Sequence, residues 1–218
     1  QSVKRAEKEI NKIVQFEKGK IVIGATHIIG EPILPKVLKE FSLKYEGIDF
    51  EVYIQDRDIL LLWLKEGKID IALMGDFYIR EKNIEVIPIN EYPFVIINKE
   101  KINSISELEN INLIARNDSK LLEKNLAEIE KNYNINITKR ITVNGSIEAI
   151  KKMVMEGIGF SIQPYYCVYE EIKKGKVNVI YDFKEEKDGY QAVITTDKRD
   201  SDEILKFISL LKNNKIEF

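Results

Sequence analysis

Two periods of hydrophobicity take turns along this chain, and that alternation constrains its fold more than any other feature. KIVIGAT, beginning at Lys20, reads as a short buried strand. Ile33, Leu34, Val37, Leu38 and Phe41 then form the apolar face of a helix reaching about Tyr45. The unit repeats: IDFEVYI (48–54) reads as a strand, DILLLWLKEG (58–67) as a helix stopped by Gly67, and KIDIALMG (68–75) as a strand. Strands alternating with helices imply a parallel sheet with right-handed crossovers. IEVIPI and YPFVIIN follow with no helix between them, so one of the two is expected to run antiparallel. Ser104 with Glu107 makes a capping box that opens a further helix.

A second series follows: the strand INLIAR, a helix carrying Leu122, Leu126, Ile129 and Tyr133, the strand ITKRITV, a helix carrying Ile147, Ile150 and Val154, and the strand GFSIQP. After a helix through Tyr169 and strands at VNVIYDF and YQAVITT, the chain ends in a helix with Ile204, Ile208 and Leu211 on one face. Asp200 and Glu203 are its expected capping box. Two such series predict an α/β architecture of two Rossmann-like lobes. With no Pro/Gly-rich hinge or low-complexity linker in the sequence, strands are expected to join them, crossing near Ile96 and near Val193. Ahead of the first strand, Val3, Ala6, Ile10, Ile13 and Val14 recur at helical spacing, an amphipathic segment ended by Gly19.

Composition narrows the function. The 34 basic and 36 acidic side chains are interspersed, so the sequence has no basic stripe of the kind that neutralises nucleic-acid phosphates. Cys167 is the single cysteine, which excludes an internal disulfide and fits a reducing cytoplasm. No apolar run is long enough for a membrane span, and the N-terminus lacks the apolar core of a secretory signal. A chain starting at Gln1 is expected to be part of something longer.

The chemistry-bearing motifs are sparse. His27 is the only histidine and no G-x-S-x-G elbow exists, which argues against a histidine-dependent hydrolase, and the sequence is read as a non-enzyme. Metal-ligand spacings are absent, and no cofactor is expected. GIGF (157–160) lacks the third glycine and following helix of a dinucleotide fingerprint, so its glycines are read as ending a helix and starting a strand. Asp56 and Asp58 are read as the acidic start of a helix. Three polar clusters fall where strands give way to helices: Thr26 with His27, RNDS (116–119) and NGS (144–146). Exposed amides at helix starts attract anions, and short hydroxyl and amide side chains add hydrogen bonds. Each alone also reads as a simple N-cap. His27 keeps two readings, a helix-start histidine with no special role or a ligand contact.

GKIVIGATHIIGEPILPKVLKEFSLKYEGIDFEVYI, LKEGKIDIAL, NSISELENINLI and, most specifically, SIEAIKKMVMEGIGFSIQPYYCVYEEIKKGKV resemble the effector-binding domain of LysR-type transcriptional regulators. Gly47 stands where that family usually has proline. The resemblance implies a two-lobed fold of the type II periplasmic binding protein kind with a small-molecule effector between the lobes. Residues 1–18 would end a linker helix, 19–95 with 193–218 would form the first lobe, and 96–192 the second. The N-terminal winged helix-turn-helix domain would lie outside this chain and make the only contact with DNA. By the same resemblance the effector contacts are Thr26, His27, Asn117, Ser119, Asn144, Ser146 and Gln163; Arg116 is added on its position beside these clusters and its capacity to fork a carboxylate. A homodimer through this domain in the cytoplasm is also implied, and the broad apolar surface of DILLLWL suits one. The alternative function on the same fold is a solute-binding protein of an anion or small-metabolite uptake system.

Overall fold

The computed structural model describes residues 19–75, 79, 81–116 and 120–216, so the amphipathic segment before Gly19 lies outside the described residues. The described residues divide into two compact units, those within 19–26, 34–89 and 191–215 in one, and those within 27–33, 90–190 and 216 in the other.

The first unit is built on β1 (Gly19–Ala25), which pairs in parallel with β2 (Ile48–Ile54) from Gly19 opposite Ile48 to Ala25 opposite Ile54. On its other side β1 pairs in parallel with β3 (Ile71–Gly75), Ile23 opposite Ile71. The helix expected after β1 comes in two pieces. One turn, α1 (His27–Gly30), is grouped with the second unit, and α2 (Leu34–Lys44) belongs to the first. The break falls at GEP, where Pro32 withholds a helical amide donor. Helix α3 (Arg57–Lys65) places Leu60 and Leu64 against Ile69, Ala72 and Met74. These five side chains are at most 2% exposed and form one core cluster of the unit together with Val193. Asp56 takes the N-cap position of α3 with no side-chain capping bond, and Asp58 lies in the first turn.

IEVIPI and YPFVIIN form one continuous strand, β4 (Ile84–Asn98), and VNVIYDF and YQAVITT form another, β8 (Asn178–Thr195). Both strands run through the boundaries between units, which fall after Ile89 and after Tyr190. In the second unit the strand order is β4, β7 (Gly159–Pro164), β5 (Asn112–Ala115), β6 (Arg140–Thr142). β4 is antiparallel to β7, while β5 is parallel to both β7 and β6. β6 is only three residues of the expected ITKRITV. Helix α4 (Lys120–Tyr133) buries Leu122, Leu126 and Ile129 in a core with Phe94, Ile96, Phe160 and Phe183. Helices α5 (Ile147–Met155) and α6 (Tyr165–Lys173) flank β7, all six residues of which are buried.

The Ser104 capping box is present, but it opens a 3-10 helix rather than an α-helix. The last helix, α7 (Asp202–Asn213), is capped not by Asp200 but by Ser201, whose Oγ accepts from the Ile204 amide. Ser201 wins because it immediately precedes the first helical residue, where a short hydroxyl reaches the amide three residues on.

The GIG of 157–159 serves two unrelated ends. Gly157 sits at φ 76° past the end of α5, with its amide bonded to Val154 O at 2.9 Å and the Ile158 amide to Met153 O at 3.1 Å. That is the Schellman arrangement, and a left-handed φ there favours glycine. Gly159 is required by space instead: a Cβ on it would lie 2.2 Å from the Asn112 carbonyl oxygen in β5. Gly159→Ala is expected to destabilise the chain by about 1–3 kcal/mol or more, because backbone must move to admit the methyl. Gly75→Ala, with nothing within 4 Å of the added carbon, should stay within about 0.5 kcal/mol. Urea denaturation of the two variants checks both.

Candidate functional site

Ser146 is the N-cap of α5, with φ −66° and ψ 137°. Its Oγ accepts from the Glu148 amide at 3.0 Å and donates to Oε2 of Glu31 at 2.8 Å. The same Oε2 accepts from the Glu148 amide at a longer 3.3 Å, while Oε1 lies 2.8 Å from Nδ1 of His27. One carboxylate thus gathers an imidazole, a hydroxyl and a helix-start amide. His27 and Glu31 face each other because they stand four apart on one helical turn, in which the Glu31 amide donates to the His27 carbonyl. Burial pushes the Glu31 carboxyl upward, but the bonds from His27, Ser146 and the Glu148 amide outweigh it and hold the group below the usual carboxylate range.

Two further ties surround this cluster. The Cys167 thiol, buried in α6, donates to the Ile28 carbonyl at 3.6 Å, and burial pushes it well above its ordinary range. Such a thiol is a packing group rather than a nucleophile. Lys151, one turn beyond Glu148 on α5, is only 5% exposed and pairs with Glu148 at 2.5 Å and with Glu171 of α6 at 3.1 Å. Burial disfavours its charge, yet the two carboxylates hold the ammonium above its ordinary value. Within the second unit, the segment from His27 to Ile33 is therefore fastened both to the start of α5 and to α6.

The structure treats the other expected positions unevenly. Thr26, in the first unit, donates its amide to Leu73 O at 2.9 Å, and its buried hydroxyl has no partner. Asn144 is exposed, next to Gly145. The half-buried Arg116 follows β5, and its carbonyl accepts from Arg140 at 3.3 Å. Asn117 and Ser119 lie outside the described residues. Gln163 is 5% exposed and donates to Ser161 Oγ at 2.8 Å, while that hydroxyl donates to the Ile114 carbonyl. Its side-chain amide nitrogen therefore braces the junction of β7 with β5.

Glu31, Lys151 and Glu171 escaped sequence reasoning. The spacing of His27 and Glu31 was a readable signal, but the link to Ser146 spans 115 positions and has no local signature. As chemistry, the cluster does not have the order of a hydrolytic triad. There the imidazole stands between nucleophile and acid, whereas here the Glu31 carboxylate stands between Ser146 and His27. Among the described residues, no group of three or more His, Cys, Asp or Glu side chains could hold a metal ion. No helix there is long and apolar enough to cross a membrane.

Because Glu31 ionises more readily in the folded chain, its stabilising contribution is complete above the ordinary glutamate range and lost as pH falls through its own lower value. Glu31→Gln is expected to be less stable than the wild type near neutrality, the two converging in acid; urea denaturation across that range checks it. Ser146→Ala should cost about 1 kcal/mol by removing the cap alone, and more for the lost bond to Glu31.

Comparison with known proteins places this chain in a family. The family model for the LysR substrate binding domain matches residues 15–215. The chain is 27% identical over 191 residues to a probable RuBisCO transcriptional regulator of Trieres chinensis, covering 78% of this chain and 60% of that protein. It is 30% identical over 176 residues to the HTH-type transcriptional activator CmpR of Synechocystis sp., covering 76% and 56%. The chain thus spans at most about 60% of these curated relatives' length. The regulatory domain of CrgA, a LysR-type transcriptional regulator from Neisseria meningitidis, matches with a TM-score of 0.71 at 17% identity, over 90% of this chain and 98% of that one. The bromide-ion-bound regulatory domain of HypT from Salmonella typhimurium matches with 0.73 at 18%, over 91% and 96%. These neighbours share its fold, that of the type II periplasmic binding proteins. Matched from residue 15 to residue 215, through the strands and helices of both units, the chain belongs to the LysR substrate-binding domain family.

Proposed function

We propose that this chain is the effector-sensing domain of a LysR-type transcriptional regulator, in which a small anionic or polar metabolite controls DNA binding and transcription by a longer cytoplasmic protein. The family match over residues 15–215 carries the reading. Residues 1–18 would be the end of a linker helix from a winged helix-turn-helix domain, which alone would touch DNA. The relatives named above are regulators, which favours sensing over solute uptake. The effector contacts would come from Thr26, His27, Arg116, Asn117, Ser119, Asn144, Ser146 and Gln163. The unpartnered hydroxyl of Thr26 supports its place among them, because a buried polar atom without a partner is costly unless a ligand or water satisfies it. Binding shifts a regulator only by its difference in affinity for two states of the protein.

A thermal-shift screen of small carboxylates, inorganic anions and amino acids tests the reading. A cognate compound at a hundred times its dissociation constant should add about 2.7 kcal/mol of stability. Thr26→Ala should then weaken it by about 1.5–3 kcal/mol if the lost bond goes to a charged group. No stabilisation by any compound, together with DNA binding of the full-length protein that no metabolite changes, overturns it.

We further propose that the domain forms a homodimer through the first unit's apolar surface, where Ile59 and Leu62 of α3 and Val52 of β2 are 38%, 52% and 38% exposed. Leu62→Glu should shift the chain toward monomer in sedimentation equilibrium while each protomer keeps its fold. A wild-type chain that sediments as a monomer at high concentration overturns this part.

A further inference from the structure

Glu31 brings a full negative charge to the donors that an external anion would use. Its Oε2 takes the hydroxyl of Ser146 at 2.8 Å and the amide of Glu148 at 3.3 Å, and its Oε1 takes His27 at 2.8 Å. A helix start alone says little about ligands. This one already holds a carboxylate, supplied by a residue 115 positions away and carried on the short segment His27–Ile33.

We propose that Glu31 is a built-in competitor, a tethered anion that fills the Ser146–Glu148 donor set and must withdraw before a free carboxylate or oxyanion can bind there. This rests on the reading of the chain as an effector sensor and specifies how that sensor is restrained.

Several observations favour an exchangeable occupant over a permanent strut. The bond from the Glu148 amide is long, and the Glu31 side chain remains 19% exposed, so an incoming anion can reach it. The surrounding charges also work against a second anion: Glu148 and Glu171 flank Lys151, and Glu31 adds a third carboxylate. His27 is the other titratable group facing it, and the Cys167 thiol lies nearby on the Ile28 carbonyl. An anion arriving with Glu31 in place would meet occupied donors and an excess of negative charge. One that displaces Glu31 inherits the hydroxyl, the amide and the imidazole.

A competitor of this kind lowers apparent affinity by the fraction of molecules in which it is withdrawn. The test uses the 218-residue chain with sulfate and acetate as probes. The Glu148 amide is followed by nitrogen-15 NMR, and binding is titrated for wild type, Glu31→Ala, Glu31→Gln and Glu31→Ala with Ser146→Ala. The Glu31→Ala chain should bind the probes at least about tenfold tighter than wild type, with the Glu148 amide moving saturably. Glu31→Gln, which keeps the length and one acceptor oxygen but loses the charge and turns the other oxygen into a donor, should gain less, and it serves as the readout if the alanine variant folds poorly. Removing Ser146 as well should abolish the gain. Equal affinity in wild type and both single variants, or a Glu148 amide that moves in none of them, overturns the proposal. The two readings fail separately. A metabolite that binds wild type while the Glu148 amide stays still preserves sensing and removes the competitor. Tighter anion binding by Glu31→Ala, with no metabolite recognised by any form, does the reverse.

Discussion

A strand buried on both faces has to hand its chain to a helix at its end, and the rest of this structure depends on that constraint. β7 is covered throughout, β3 nearly so and β1 over its last three residues, which leaves the backbone there to be satisfied by pairing. Parallel neighbours then require crossovers, and each crossover helix begins with amides that no residue of its own turn can satisfy. The start of α5 resolves that deficit with Ser146 and a borrowed carboxylate. The polar cluster is thus a product of sheet topology as much as of any particular side chain.

The same logic explains which parts of the fold could be read from the amino-acid order. The alternation of short apolar runs with helical stripes located the strands and helices of both series, because burial on a sheet and burial on one helical face leave different periods. Continuity was harder to read. Pro88 and Pro93 suggest interruptions, yet β4 passes through both, since a strand can carry proline wherever no ladder donor is needed at that position. The helix break at GEP carried only Pro32 as a local sign, and nothing local indicated that the single turn before it groups with the second unit.

The candidate site was legible at its hydroxyls and not at its charges. Ser146 announces itself because an N-cap is a local device, read from one residue and the helix behind it. Glu31 looked like one of many surface acids, and its role depends on tertiary proximity across more than half of the chain. Gln163 shows a second claim on a polar residue at a strand end: its amide nitrogen is engaged with Ser161 and through it with β5. Polar residues on a fully buried strand have structural claims to meet first.

The buried ammonium of Lys151 has one more consequence. With Glu148 and Glu171 as its partners, and Glu31 bonded to the Glu148 amide, the cluster carries three carboxylates against one lysine, a balance of about −2 when His27 is neutral. A tethered carboxylate that withdraws stays on the chain, so a bound monoanion adds one negative charge to that balance. Screening then eases the exchange, because it weakens the repulsion between the arriving anion and the carboxylates already there.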